Sequence, residues 1–345
     1  MMTNTKMSNS TKLKLLTDIL ASGGQRTFIQ MHNSPDPDSI ASAFGLQYLL
    51  RHEGFDAVIC YRGAIEKYST NKMIELLDIC LKNINDIQDM KDRDYIILVD
   101  SQKFNSNVTD FIGNEVAAID HHPVFHEVQY LFEDIRPKVG ACSSIIADYF
   151  HENEIAIPKT IATALLYGTK TDTLDLSRGV SELDLDMFYK LYKTADIDLL
   201  NRIQLNQLQF SELSAYSNAI RNIKLYDNVG FAYLGADCPD SLLGTVSDFI
   251  ISLKEVEFSV VYSNRKAGVK FSIRNETTDY DAGKVIMKAL NGLGSGGGHK
   301  TMAGGFIPEA AVESMGHLFH SFIENRIMDI LKSEGSFKTS CGSES

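Results

Sequence analysis

The chain has 345 residues, 44% hydrophobic and 23% charged, which is ordinary for a globular protein and enough for two domains with separate cores. Its formal net charge of −12, from 33 basic and 45 acidic residues, argues against a protein that grips long nucleic acid non-specifically. Such proteins carry basic stripes, because neutralising phosphates supplies most of their affinity.

The N-terminal residues Met1 to Thr11 are polar, without the apolar core of a signal peptide. No stretch approaches the roughly 20 apolar residues that span a bilayer. The scattered cysteines Cys60, Cys80, Cys142, Cys238 and Cys341 form no C-x-x-C pair, which implies mostly buried, reduced thiols and a cytoplasmic setting. Phe28 to His32 reads as a strand and Ser39 to Glu53 as a helix, with Ile40, Ala43, Phe44, Leu46 and Leu50 at helical spacing and Gly54 as its C-cap glycine. Ala57 to Tyr61 reads as the next strand, followed by a helix near Asn71 to Leu81. Tyr95 to Val99 and Val116 to Ile119 are short apolar runs, the pattern of strands buried on both faces. This alternation predicts an α/β fold with a mostly parallel sheet and helices on both faces.

Helices are predicted over Arg136 to Phe150 and Pro158 to Tyr167, and helical periodicity returns from Ser181 to about Ile223, with Leu199, Leu200, Ile203, Leu205 and Leu208 as apolar positions. The domain connection is expected in that last stretch. Val256 to Tyr262 and Gly268 to Arg274 then flank a hairpin turn. Val269, Phe271 and Ile273 alternate with Lys270, Ser272 and Arg274, which puts Arg274 on the polar face. A helix at Ala282 to Leu290, a glycine-rich stretch at Gly292 to Gly298, and a helix near Ala310 to Leu331 complete the series, before a Ser/Gly-rich tail from Ser333 that is expected to be disordered.

Acidic and histidine residues gather after the predicted strands: His32, Asp36 and Asp38 after the first, Asp100 after YIILV, and Asp120, His121 and His122 after VAAI. Asp172, in GTKTD, adds a further carboxylate. Open parallel sheets build their sites outside the carboxyl ends of their strands. Taken singly, each residue has a plain structural explanation: Asp38 or Ser39 as a helix cap, Asp172 as a turn residue. Together, unpaired carboxylates at one edge would repel one another unless cations sat among them, and mixed carboxylate and imidazole donors suit manganese, magnesium or iron.

HNSPDPDS, the aspartate after YIILV, IDHHP and GTKTD resemble, in order, four motifs of the DHH phosphoesterase superfamily, and GSGGGHKTMAGG resembles the glycine-rich motif of its associated domain. The resemblance runs from about Thr27 to Pro308. It implies a DHH catalytic domain over residues 1–190, a helical connection over 191–225, a smaller α/β DHH-associated substrate-binding domain over 226–332 and a tail over 333–345, with the active site in a cleft between the domains.

Carried over by position, it implies one ion held by His32, Asp36 and Asp100 and another by Asp38, Asp100, His121 and Asp172, with Asp100 bridging. Two divalent ions are implied, manganese first, magnesium or iron as alternatives. Asp120 would orient a ligand histidine, and His122 would contact the phosphate or protonate the leaving oxygen. Gly297, Gly298, His299 and Arg274 would meet the substrate. The glycine run fits neither a dinucleotide fingerprint, which needs a preceding strand, nor a P-loop, where His299 replaces a required glycine. His52, His126, His151, His317 and His320 lack partners at ligand spacing, and Arg136 and Arg178 read as solvated residues as readily as substrate contacts. Pro37 departs from the glycine or alanine commoner in the nanoRNase pattern.

Among the superfamily's branches, RecJ-type nucleases carry further DNA-gripping domains, type II pyrophosphatases have a different second domain, and membrane-bound cyclic-dinucleotide enzymes have membrane spans. The expectation is therefore a stand-alone nanoRNase or adenosine 3′,5′-bisphosphate (pAp) phosphatase, acting on short RNA or DNA oligonucleotides or small nucleotides, with no long duplex and no membrane partner. A soluble cyclic-dinucleotide phosphodiesterase is the alternative, and a non-catalytic nucleotide sensor a further one. A homodimer is an expectation from the family.

Overall fold

The computed structural model describes residues 11–23, 25–205, 210–236 and 238–334, and the chain divides into two units, residues 1–207 and 208–345. In the first unit the elements run α1 (Lys12–Gly23), β1 (Thr27–Gln30), α2 (Pro37–His52), β2 (Ala57–Tyr61), α3 (Tyr68–Leu76), β3 (Lys82–Asn83), β4 (Tyr95–Val99), β5 (Asn114–Asp120), β6 (Phe132–Ile135), α4 (Cys142–Glu152), α5 (Lys159–Asp172), α6 (Glu182–Thr194) and α7 (Ile197–Gln204). The second contains α8 (Leu213–Asn222), β7 (Lys224–Tyr226), β8 (Val229–Ala236), α9 (Asp240–Ile251), β9 (Phe258–Arg265), β10 (Gly268–Asn275), α10 (Ala282–Leu290), β11 (Ser295–Gly298), β12 (Met302–Pro308), α11 (Glu309–Met315) and α12 (Phe319–Glu334).

The first sheet has six strands in the order β3-β2-β1-β4-β5-β6, every neighbouring pair parallel. Successive side chains of β1 and β4 enter opposite faces. Ile29, Ile97 and Val99 join the large core built with α2, α4, α5 and α6, while Phe28, Ile96 and Leu98 form a smaller cluster closed by Ile84, Ile87, Met90 and Val108. Burial on both faces explains why these strands are continuous apolar runs. The strand order reverses between β1 and β4, so the chain leaves those two neighbours in opposite directions and opens a crevice at their carboxyl ends.

Several predicted bounds shift, for local reasons. The second helix begins at Pro37, because Asp36 is its N-cap and accepts the Ser39 amide at 3.0 Å. The helix expected to start at Arg136 starts at Cys142: Arg136 is tied to Asp134 and Asp148 (2.8 and 2.7 Å), and residues up to Gly140 form a loop. The helix expected near 71–81 stops at Leu76, with Asp78 in the left-handed region (φ 52°) just beyond. The stretch 191–225, expected as a connection, is shared out: Leu191, Leu200 and Ile203 join the first unit's core, whereas Ala215 and Ala219 join a core of the second.

The second sheet is mixed, with order β11-β12-β10-β9-β8-β7, parallel only between β8 and β9. One face packs under α10 and α12 and the other under α8 and α9. The polar face of β10 is therefore covered rather than solvated: Ser247 of α9 donates to the Ser272 carbonyl. Cys60, Cys142 and Cys238 are buried and Cys80 is exposed, none of these four in a disulfide, while Cys341 and most of the expected disordered tail lie outside the described residues. Among the described residues no helix is long and apolar enough to cross a membrane.

Candidate metal centre and the glycine-rich hairpin

The four segments that carry the acidic and histidine residues converge at the carboxyl edge of the first sheet. His32, Asp36 and Asp100 present donor atoms within 4.8 Å of one another, and so do Asp38, His121 and Asp172. His32 Nε2 lies 3.8 Å from Asp36 Oδ1 and 3.7 Å from Asp100 Oδ2; His121 Nε2 lies 3.4 Å from Asp100 Oδ1 and 3.3 Å from Asp172 Oδ2. Asp100 thus faces both groups, one oxygen toward each.

Each residue is placed by its own local physics. Asp100 follows β4 directly, in the left-handed region (φ 55°), with its amide bonded to the Ile119 carbonyl at 2.9 Å, so its side chain turns back over the sheet edge. Asp38 sits in the first turn of α2, because Asp36 takes the capping role that was the plain structural alternative for Asp38 or Ser39. Its carboxylate accepts the amides of Cys142 and Ser143, each at 2.8 Å. These are first-turn amides of α4, whose own N-cap Ala141 makes no side-chain cap, so Asp38 serves as that helix's anion from a distance.

Asp172 is the last residue of α5, extended beyond the predicted Tyr167. Beyond it Leu174, Asp175 and Leu176 are all left-handed (φ 47°, 54° and 64°), held by bonds from the Ser177 and Arg178 amides to the Thr173 carbonyl, both 2.9 Å.

The two adjacent histidines are oriented by different groups. His121 Nδ1 donates to the Val139 carbonyl at 3.2 Å, which leaves Nε2 for the cluster. Asp120, fully buried, accepts the His121 and His122 amides (2.8 and 3.2 Å) and His122 Nδ1 (2.8 Å) on Oδ1, and Gln102 Nε2 (2.7 Å) on Oδ2. The ring that Asp120 orients is therefore His122, which corrects the expectation that it would orient a ligand histidine: the main-chain carbonyl of Val139 already occupies His121 Nδ1. Gln102, Val139 and the Cys142 and Ser143 amides were missed in the sequence. Only Gln102 leaves a signal there, as a polar residue two positions beyond a strand-ending aspartate.

The electrostatics are those of a cation site. Burial, the largest influence, pushes the Asp38 carboxyl well above its ordinary value, with Asp100 and Asp172 adding repulsion. Burial lifts Asp172 to about 6, although His121 pulls it down. On His32, burial acts to lower the ring but is outweighed by Asp36 and Asp100, so it is pushed up to about 10. Asp100 Oδ1 is buried and accepts no hydrogen bond, an orphan that a bound cation would satisfy. Hard oxygen and imidazole donors with no thiolate among them fit a pair of divalent ions such as manganese. Asp120 and His122 form a third donor group with Asp100 and His121, but their mutual bond already occupies Asp120 Oδ1.

In the second unit the glycine run is strand β11 of a hairpin with β12, not a loose loop. Its tip is tied through the backbone: the Ala282 and Gly283 amides of α10 donate to the Lys300 and His299 carbonyls (3.0 and 3.1 Å), and buried Asn275 donates to the Lys300 carbonyl at 3.0 Å. At Gly298 (φ 148°) a Cβ would lie 2.5 Å from the Met302 carbonyl oxygen, so only glycine closes the turn. At Gly297 a Cβ would meet nothing within 4 Å, so internal packing does not demand glycine there. His299 is exposed.

Arg274 pairs across the sheet with Met302, beside this tip, but its Nε is 2.5 Å from Asp248 of α9 and its Nη1 bonds Ser272 Oγ and the Ile273 carbonyl. Its guanidinium braces α9 instead of standing free as a phosphate fork. Among the remaining histidines, His320 Nδ1 is 3.0 Å from the Tyr262 hydroxyl, a packing role. Arg136 is locked between Asp134 and Asp148, and Arg178 Nη2 donates to the Asp172 carbonyl at 3.1 Å.

Comparison with known proteins agrees with this architecture. The DHH family, N-terminal domain, matches residues 26–169 and the DHHA1 domain matches residues 227–325. An uncharacterized protein of Methanocaldococcus jannaschii is 31% identical over 281 residues, 81% of this chain and 57% of that protein. A probable manganese-dependent inorganic pyrophosphatase of Streptococcus thermophilus is 31% identical over 152 residues, 43% of this chain and 48% of that protein. The chain thus spans about half the length of these curated relatives. An exopolyphosphatase-related protein from Bacteroides fragilis shares the fold, with a TM-score of 0.74 at 20% identity over 94% of this chain and 99% of that one. RecJ of Thermus thermophilus in complex with Mn2+ shares it at a TM-score of 0.55 and 15% identity, over 93% of this chain and 54% of that one.

Proposed function

The chain belongs to the DHH phosphoesterase superfamily, and on that premise we propose that it is a metal-dependent hydrolase of short oligoribonucleotides, releasing nucleoside monophosphates, and of adenosine 3′,5′-bisphosphate. The observation that carries this reading is Asp100, a buried carboxylate with one oxygen toward each of two donor groups and no hydrogen bond to Oδ1. His32, Asp36 and Asp100 would hold one ion; Asp38, His121 and Asp172, with Asp100 shared, would hold the other. Such a pair supplies a hydroxide at neutral pH and neutralises charge on the phosphoryl oxygens. Manganese is the first choice, supported by the donor set and by the manganese named in the pyrophosphatase relative.

The chain's own groups would do the rest. Asp120 fixes His122 through Nδ1, which leaves Nε2 to donate a proton to the leaving oxygen. Burial disfavours the His122 cation, but Asp120 and Asp100 outweigh it and keep the ring's pKa raised, as a general acid requires. The tip at Gly297, Gly298 and His299 would meet the substrate's phosphate or base. Its exposed imidazole and a glycine not required by packing support that role. The overall charge of −12 suits a small substrate better than a long polyanion.

The test is a product assay with manganese on a 5′-labelled RNA dinucleotide, a 24-residue RNA, pAp, cyclic di-AMP and inorganic pyrophosphate, with Asp100→Ala as control. Fast turnover of the dinucleotide or pAp, abolished in the variant, is expected. Preference for cyclic di-AMP or pyrophosphate would move the substrate class, and no turnover at all would leave a nucleotide sensor.

A further inference from the structure

Asp184 lies in the first turn of α6, 12 positions after the candidate ligand Asp172, and is fully buried. Its Oδ2 accepts three hydrogens: from the Gly140 amide at 2.7 Å, the Ser181 amide at 2.8 Å and Ser181 Oγ at 2.6 Å. The Ser181 amide bond, with the Asp184 amide donating back to Ser181 Oγ at 3.3 Å, is an ordinary capping box. The Gly140 bond is not part of one. It reaches across 44 positions to the loop before α4. Oδ1 is buried and accepts nothing, a desolvation cost that a helix cap alone, which can sit in water, does not incur.

Gly140 is the point where three donors of the cluster meet. The residue before it, Val139, holds His121 Nδ1 through its carbonyl. Two and three positions after it, the Cys142 and Ser143 amides hold both oxygens of Asp38. A Cβ on Gly140 would lie 2.8 Å from Thr173 Cγ2, 2.8 Å from the Gly179 carbonyl oxygen and 3.0 Å from Asp184 Oδ2, and Thr173 directly follows Asp172. The other group is held locally: His32 Nδ1 bonds the neighbouring Asn33 carbonyl, and Asp36 caps its own helix through Ser39.

We infer that Asp184, acting through Gly140, is a positioning residue for one ion of the pair: it sets Asp38, His121 and Asp172 and leaves His32 and Asp36 untouched. This rests on the two-ion reading above. Loss of the Gly140 bond lets the 139–141 loop and the first turn of α4 drift, which frees the His121 ring to rotate and displaces the amides that aim Asp38.

The experiment is titration of Mn2+ into the metal-stripped full chain, counting ions by calorimetry and by the electron paramagnetic resonance signal of a coupled manganese pair, with melting temperature recorded alongside. Wild type is expected to bind two ions. Asp184→Ala is expected to keep the first at wild-type affinity and to bind the second about 10- to 100-fold more weakly, the scale of losing an outer-sphere partner. The coupled signal is then lost at ion concentrations that saturate wild type. Asp184→Asn, whose amide oxygen can accept the same hydrogens, should recover most of the second affinity. Ser181→Ala should lower the melting temperature with both ions retained. If Asp184→Ala does not fold, Gly140→Ala decides by the same criterion. Two ions bound normally in these variants, or both weakened equally, overturns the inference while the two-ion reading stands; fewer than two ions in wild type overturns both.

Discussion

The metal edge of the first unit and the glycine tip of the second solve opposite problems. At the edge, several of the candidate side chains are fixed by groups outside the cluster or by the backbone: Asp38 by two amides, Asp120 by four donors, His121 by a carbonyl. At the tip it is the backbone that is fixed, by α10 and Asn275, while the His299 side chain is exposed and Gly297 offers open space. Crowded carboxylates must be held against mutual repulsion, so the edge is buried and preorganised. A surface that is to receive a varied ligand needs only a rigid backbone and room.

The strongest way to break this contrast is to remove the shared carboxylate. Asp100→Ala should abolish binding of both ions and lower kcat/KM by about a thousandfold or more, the upper range for losing one preorganised electrostatic partner. Manganese calorimetry and steady-state kinetics check it. On the proposed reading, in which His122 is the general acid and not a ligand, His122→Gln should lower kcat by about 10²- to 10⁴-fold while both ions still bind.

Next comes the frame beneath the edge. Asp134 is buried against Arg136 at 2.8 Å and accepts the Tyr149 hydroxyl at 2.9 Å. Asp134→Asn should cost about 3 kcal/mol, the low end for removing one partner of a buried pair, as read by urea unfolding at neutral pH. Burial tends to raise the Asp134 carboxyl, but Arg136 and Tyr149 bring it below its ordinary 3.8. The unfolded chain therefore binds this proton more readily than the folded one. The contribution is complete above pH 3.8 and disappears as the pH falls through the lowered folded value, so the gap between wild type and variant should close in acid. The smallest effects belong to the tip. Gly297→Ala and His299→Ala should leave stability within about 0.5 kcal/mol. His299→Ala should lower kcat/KM on nucleotides by about tenfold, the worth of one charge-assisted hydrogen bond, and Gly297→Ala should lower it through the methyl group placed in the open space. A large loss of stability in either variant would erase the contrast.

What could be read in the sequence follows the same division. His32, Asp36, Asp38, Asp100, His121 and Asp172 were legible because each stands in a short segment beside a strand or helix whose periodicity is plain, and their chemistry is carried by residue type. The Val139 carbonyl and the Cys142 and Ser143 amides were not, since any residue supplies them and only the folded loop aims them. Asp184 shows as the last residue of an S-x-x-D capping box, which hides its long-range bond to Gly140. The surroundings of Arg274 were not legible, because alternation along β10 tells which face it occupies but not that α9 covers that face with Asp248. Strand β6 and helix α1 were missed as well. Phe132 and Asp134 of β6 are its inward residues, and a charged inward position defeats a pattern based on apolar alternation.

The left-handed turn at Leu174, Asp175 and Leu176 bears on the order in which the molecule assembles. For L-residues this hand costs roughly 1–2 kcal/mol each, so the turn cannot nucleate by itself and forms only when its neighbours impose it. Asp172 directly precedes this turn at the end of α5, so this edge of the candidate site is completed late, after the sheet and α5 have docked. Interactions absent from the folding transition state act on the unfolding rate alone. Manganese should accordingly leave the refolding rate of this chain unchanged and lengthen the lifetime of its native state, so the ions lock a finished fold and do not template it.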